Sequence, residues 1–205
     1  METLRESIPR SQNSTLAEMY ELDEVPTEAS RILGRLPDGE GVVAVRSGFE
    51  EIRVFPDALR VLRDFYKDCF PAHLRIAAAS SADTPRAVQI GRAAMGLLEV
   101  VPGVTLRQVF AKGWPLGFEG NLQIGRSPPL SANKAETHFP ILRRETHIDY
   151  PDMVFFDDCI WGDHCGNVER QCPGVVTQRT PRGLRMSEWD ACIAAFSAKF
   201  ALREG

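Results

Sequence analysis

The 205-residue chain has no long apolar run. Stretches such as Ile76 to Ala79 fall far short of the roughly 20 apolar residues a bilayer span requires, so no membrane association is expected. The first residues, Met1 to Asn13, have no apolar core of the kind a secretory signal carries, and Glu2 and Glu6 are too much acid for a transit peptide. A basic excess is missing as well. Lys and Arg total 24 against 28 Asp and Glu, a formal net charge of −4, which argues against the basic face of a nucleic-acid binder. Five cysteines, an odd number in a chain without a signal, read as reduced thiols in the cytosol.

What is present is ordinary for a globular protein: 43% hydrophobic and 25% charged residues. The length suits one domain that buries about 70% of the surface of its unfolded chain. Residues 1–40 carry little pattern. Pro9, Pro26, Pro37, Gly34 and Gly39 punctuate them, with a short helix over Thr27 to Leu36 the only element suggested. This segment is expected to be poorly ordered or mis-assembled, and residues 41–205 to form the domain.

From Gly41 the pattern sharpens. Gly41 to Arg46 and Glu51 to Phe55 are β-rich and flank Ser47-Gly48, a hairpin. Pro56 opens a helix over Asp57 to Asp68, with apolar residues at spacings of three and four. Leu74 to Ser80 reads as a buried parallel strand, and Pro85 to Leu98 as a helix. Leu106 to Ala111 fits a strand, and 112–133 a long functional loop in which Trp114 and Phe118 shape a pocket. Lys134 to Glu145 is helical, and Met153 to Phe156 is a strand ending in Asp157-Asp158. Val175 to Thr177 is a further strand. A last helix runs from Ser187 to Ala201, with Ser187 as N-cap and Asp190 as its partner. Alternation of strand and helix argues for an α/β fold, a parallel sheet with helices on both faces. In such sheets function sits at the carboxyl ends of the strands.

The polar residues at those ends are the candidates. Asp157 and Asp158 offer carboxylate oxygens of the kind Mg2+ prefers, although a strand-end Asp commonly just caps a loop. Ser80, with the N–H groups of the next turn, could hold a phosphoryl oxygen, although serines there are often helix caps. Lys134 is a compact point charge at a helix start. Cys159, His164, Cys165 and Cys172 are close in sequence, but they lack the paired Cys-x-x-Cys of structural zinc domains, so buried free cysteines are expected.

The order Ser80, Lys134, Asp157-Asp158 separates its members by 54 and 23 residues. Phe55 to Leu62, Ala77-Ala-Ala-Ser80, Lys134 with His138-Phe139, and Phe155-Phe-Asp-Asp158 resemble the magnesium-dependent phosphatase family of the haloacid-dehalogenase superfamily. Trp161-Gly-Asp-His164, Gly166-Asn167 and Gly174 to Pro181 are similar to its members from microbial eukaryotes. The resemblance covers about residues 40–205. It implies a Rossmann-like parallel sheet and a Mg2+-dependent phosphomonoesterase. Ser80 and Lys134 would then neutralise phosphoryl oxygens, Asp157 and Asp158 would hold Mg2+, and the substrate would be a phosphorylated small molecule or phosphotyrosine-type group. Trp161 and His164 would be structural parts of the loop after Asp158.

Two departures stand out within the match. Lys134 and His138 are one residue further apart than the usual Lys-x-x-His, and Ala82 stands where Thr is common. A third is larger. Family members attack phosphate with the first aspartate of an Asp-x-Asp motif that ends the first, central strand, and this sequence contains no Asp-x-Asp. Glu21-Leu-Asp23 follows no convincing strand and is set aside. Glu18 to Leu22 is similar to a stretch that follows the motif in some members, so an erroneous or lost 5′ coding segment is expected where Pro9 to Thr15 stand. With the first strand absent or replaced, its neighbours would keep unpaired backbone groups at about 1–3 kcal/mol each, against a net stability of about 5–15 kcal/mol. The enzyme is therefore expected to be inactive as written. The alternative is a non-catalytic pseudophosphatase that binds phosphate or a protein.

Overall fold

The computed structural model describes residues 41–47 and 49–204. The expected helix over Thr27 to Leu36, the Glu21-Leu-Asp23 tripeptide and the position of the first strand lie outside them.

Strands β1 (Ala44–Ser47) and β2 (Glu50–Arg53) form the expected antiparallel hairpin. Val42 and Val45 bury against Ala93, Ala94, Leu97 and Leu98. Helix α1 (Pro56–Tyr66) starts at its proline and buries Val61 and Phe65. Only the end of the expected 74–80 strand is extended, as β3 (Ala78–Ser80). Helix α2 (Pro85–Leu97) is capped by Thr84, whose side chain accepts from Ala87 N at 3.0 Å.

Two expectations fail next. Strands β4 (Glu99–Val101) and β5 (Val104–Thr105) pair antiparallel, and Leu106–Ala111 is then a helix, α3, not a strand. The cause is a capping box. Thr105 Oγ1 accepts from Gln108 N, and the Gln108 side chain accepts from Thr105 N at 2.7 Å. Satisfying two orphan N–H groups at once outweighs the strand preference of the Val-Phe pair. The stretch 112–133 is likewise not all loop. It contains β6 (Leu122–Ile124), which pairs parallel with β3, Ala78 opposite Leu122 and Ser80 opposite Ile124. Three residues among glycines and prolines are too few to show a period.

The C-terminal half follows the sequence more closely. Helix α4 (His138–Thr146) begins four residues later than expected, after turns at Lys134 to Thr137. Strand β7 (Val154–Asp157) pairs parallel with β8 (Val176–Arg179). Between them lies a helix the sequence reading missed, α5 (His164–Gln171). Gly174, at φ +110°, turns the chain into β8, and a Cβ there would sit 2.9 Å from Pro151 N. The last helix, α6 (Met186–Glu204), is not capped by Ser187 and Asp190. Instead Glu188 accepts from Arg185 N and Asp57 of α1 accepts from Met186 N, each at 3.0 Å.

The result is a mixed α/β structure with six helices and short parallel and antiparallel sheets. Side-chain alternation puts helices on both faces of the β7–β8 pair. Phe155 meets Phe139 of α4 edge-on at 5.0 Å, and Phe156 stacks on Trp189 of α6 at 5.4 Å. The single continuous parallel sheet is not formed by the described residues. They build two separate parallel pairs, because β3 and β7 share no backbone ladder. The pairs meet through side chains: Ala78 packs with Met95, Leu122 and Ile124, and Ala79 packs with the Phe139–Phe155 cluster. Among the described residues no helix is long and apolar enough to cross a membrane.

Asn121 locks β3, α3 and β6 together. It is 1% exposed, and its Nδ2 donates to Ile76 O at 3.0 Å and to Phe110 O at 2.9 Å. Asn121→Ala leaves Phe110 O without this donor and Ile76 O with only the Trp114 indole, so a loss of about 1–3 kcal/mol is expected in urea unfolding; a change within about 0.5 kcal/mol would show that the clamp does not hold these elements together.

Candidate functional site

The turn ahead of α4 gathers the site. Ser131, Asn133 and Thr137 shape it: Ser131 Oγ accepts from Asn133 N, Asn133 Oδ1 from Ala135 N, and Thr137 Oγ1 from Ser131 N, all at 3.1 Å. This network aims Lys134 inward. Lys134 is 8% exposed, and its Nζ donates to Asp157 Oδ2 at the end of β7. The ammonium also lies 5.4 Å from the centre of the Phe155 ring. Asp157 is 7% exposed, and its other oxygen accepts from Cys159 N at 3.0 Å.

His138, one turn after Lys134, does the same for the other parallel pair. It is fully buried, and its Nε2 lies 3.0 Å from both Ser80 O and Gly125 O, at the ends of β3 and β6. Two carbonyls can only accept, so Nε2 carries the proton and Nδ1, 3.1 Å from Thr137 Oγ1, is left as an acceptor. Burial holds the His138 pKa below its ordinary value, the two carbonyls opposing that shift in part. The spacing from Lys134 to His138 thus serves two contacts at once. The sequence had placed His138 only within a family resemblance, with no role of its own.

Of the four expected site residues, the structure joins Lys134 and Asp157 directly and links Ser80 to them through His138. Ser80 does not cap α2, since Thr84 does, and its hydroxyl has no hydrogen-bond partner among the described residues. Asp158 is exposed, with no such partner either. Trp114 and Phe118, expected to shape a pocket, lie side by side. Their rings stack on each other at 4.9 Å, and the indole N–H donates to Ile76 O at 3.3 Å.

The loop after Asp157 leads into α5, and the cysteines are free thiols. Asp163 caps α5 by accepting from Gly166 N at 2.9 Å, and a Cβ at Gly166 would lie 2.1 Å from that carboxylate. Cys165 and Cys172 bury in the core beside Val168. Desolvation, with the Asp157 charge adding, pushes the Cys165 thiol up to about 11. Trp161 does not pack as a structural part of this loop: it is 87% exposed, next to exposed Ile160.

A family model described as Acid Phosphatase matches residues 22–199. The chain belongs to this haloacid-dehalogenase-like acid phosphatase family. Membership implies a phosphoric monoester hydrolase, and the family generally uses a divalent metal. No curated protein and no solved structure gives a significant match.

Two outcomes follow from the geometry. Lys134→Met leaves Asp157 buried and unpaired, which should cost about 3–5 kcal/mol in urea unfolding, and Lys134→Met/Asp157→Leu should recover most of it. Equal losses in both variants would mean that packing of the lysine stem is what matters. His138 titrates at its ordinary value of 6.5 when unfolded and lower when folded. Its contribution is therefore whole above about 6.5 and lost as pH falls through the folded value. The midpoint of thermal unfolding should drop more steeply below pH 6.5 in the wild type than in His138→Gln, and parallel slopes would contradict this.

Proposed function

We propose that this chain is the body of a cytoplasmic Mg2+-dependent phosphomonoester hydrolase acting on a phosphorylated small molecule or phosphotyrosine-type group, with its phosphatase domain over residues 41–205. The observation that carries the reading is the buried Lys134–Asp157 pair, beside the unpartnered Ser80 hydroxyl at the end of the neighbouring parallel pair. Ser80 Oγ–H would donate to a phosphoryl oxygen, and Lys134 would balance its charge. His138 holds the Ser80 backbone in place for this.

The donor set fits Mg2+. Asp157 and Asp158 supply hard oxygens, and this ion takes few carboxylates and keeps waters. When bound it would neutralise charge on the phosphoryl group. The two aspartates would hold it, Asp157 keeping lone pairs beyond those used by Lys134 and Cys159 N–H.

What is missing is the attacking group. No Asp-x-Asp stands anywhere in the sequence, so the residues that balance charge have no partner to form and release an aspartyl-phosphate. We therefore read the 205 residues as inactive as written. The same absence, with Ser80 and Lys134 retained, favours a second reading as a phosphate-binding module.

The test joins both. The 205-residue protein should hydrolyse p-nitrophenyl phosphate with Mg2+ no faster than with chelator, yet bind inorganic phosphate in calorimetry, more weakly in Ser80→Ala. A chain extended from the native transcript to carry a strand ending in Asp-x-Asp ahead of Met19 should turn over, and Asp157→Asn should lower that rate by about 100-fold or more. Chelator-sensitive turnover by the 205 residues would overturn the inactive reading. An extended chain that binds phosphate without hydrolysis would leave the binding module, and no phosphate binding at all would remove Ser80 and Lys134 from both.

A further inference from the structure

The hard oxygens of Asp157 and Asp158 are not the only donors at the end of β7. Asp157, Cys159 and His164 each bring one ligand atom to within 4.8 Å of the other two. They come from three places: the last residue of β7, the loop after it, and the first residue of α5. Asp157 is fixed by Lys134, and Asp163 fixes the start of the helix that carries His164. Gly162 lies between Cys159 and His164: a Cβ there would be 3.5 Å from the thiol sulfur and 3.8 Å from the imidazole Nε2. Nδ1 of His164 is buried with no hydrogen-bond partner among the described residues.

A carboxylate, a thiol and an imidazole make a donor set unlike that of a hard-ion site. Sulfur and nitrogen ligands select zinc-class cations over Mg2+. Around zinc, bonds of about 2.0–2.3 Å put tetrahedral ligands roughly 3.4–3.7 Å apart, so the present spacing needs only an ångström or so of closure. Cys159, itself buried, and His164 flank an exposed stretch that carries Ile160 and Trp161. Cys165 and Cys172, by contrast, are committed to the core and take no part.

We propose that Asp157, Cys159 and His164 bind a zinc-class divalent cation, with a fourth position open to water or an anion. The site shares Asp157 with the proposed Mg2+ position, so occupation by one ion excludes the other. The proposal does not rest on the phosphatase reading, and its test measures binding alone.

The full chain, reduced and free of metal, would be titrated with Co2+ and followed by absorption. A thiolate-to-cobalt band in the near ultraviolet is expected at one equivalent and is abolished by stoichiometric Zn2+. Cys159→Ser should lose the band. His164→Ala should weaken Co2+ binding by about tenfold or more, a scale that even outer partners of a ligand set reach. Cys69→Ser, which removes the exposed thiol, should keep both band and affinity. Circular dichroism of each variant confirms that it is folded. A wild type without the band overturns the proposal, as does a band that survives in folded Cys159→Ser or vanishes in Cys69→Ser.

Discussion

Five residues, Lys134 to His138, connect the two parallel strand pairs. β3–β6 and β7–β8 exchange no backbone hydrogen bonds with each other, so their relative position depends on side chains. Lys134 ties the turn to Asp157 on β7, and His138 ties it to Ser80 and Gly125 on the other pair. Both contacts are buried, and neither adds much net stability once desolvation is counted. Their effect is positional. An ammonium and an imidazole N–H, taken out of water, must end on the oxygens available to them, and those oxygens lie only at the strand ends. The candidate site residues are therefore held by the same groups that align the two halves.

The small side chains of 77–79 make this arrangement feasible. Ala78 and Ala79 face opposite cores, one built on Met95, Leu122 and Ile124, the other on Phe139 and Phe155. Leu106 of α3 extends the first core by packing against three clusters at once. The capping box that makes α3 a helix thus also sets how β3 is supported from below.

Much of this was legible, and the failures have causes. Strand ends carrying Ser80 and Asp157, and the helices with strong apolar spacing, are visible because their patterns run long enough or end in polar residues. Leu106 to Ala111 carries Val109 and Phe110, which suit a strand, but Thr105 and Gln108, three apart, form the capping box that makes it a helix. β6 and α5 were invisible because three and eight residues carry too little period. The bridging role of His138 needed two carbonyls distant in sequence, and nothing in the sequence brings Ser80 and Gly125 together.

The site shows why electrostatic parts and an attacking group are separable in this fold. Lys134 and Asp157 neutralise each other in the protein alone, so burying them does not depend on a nucleophile being present. Phosphate or a cation arriving there meets a pair already aligned and must share or divide it. A carboxylate holding both a lysine and a loop N–H retains lone pairs for a third partner, while its charge is partly spent. Such a carboxylate suits cations that bring further donors of their own, waters in the case of Mg2+ or a thiolate and an imidazole in the case of zinc. Under the two proposals, which ion Asp157 would serve depends on the loop after β7, where Asp158 would supply oxygen and Cys159 and His164 would supply sulfur and nitrogen.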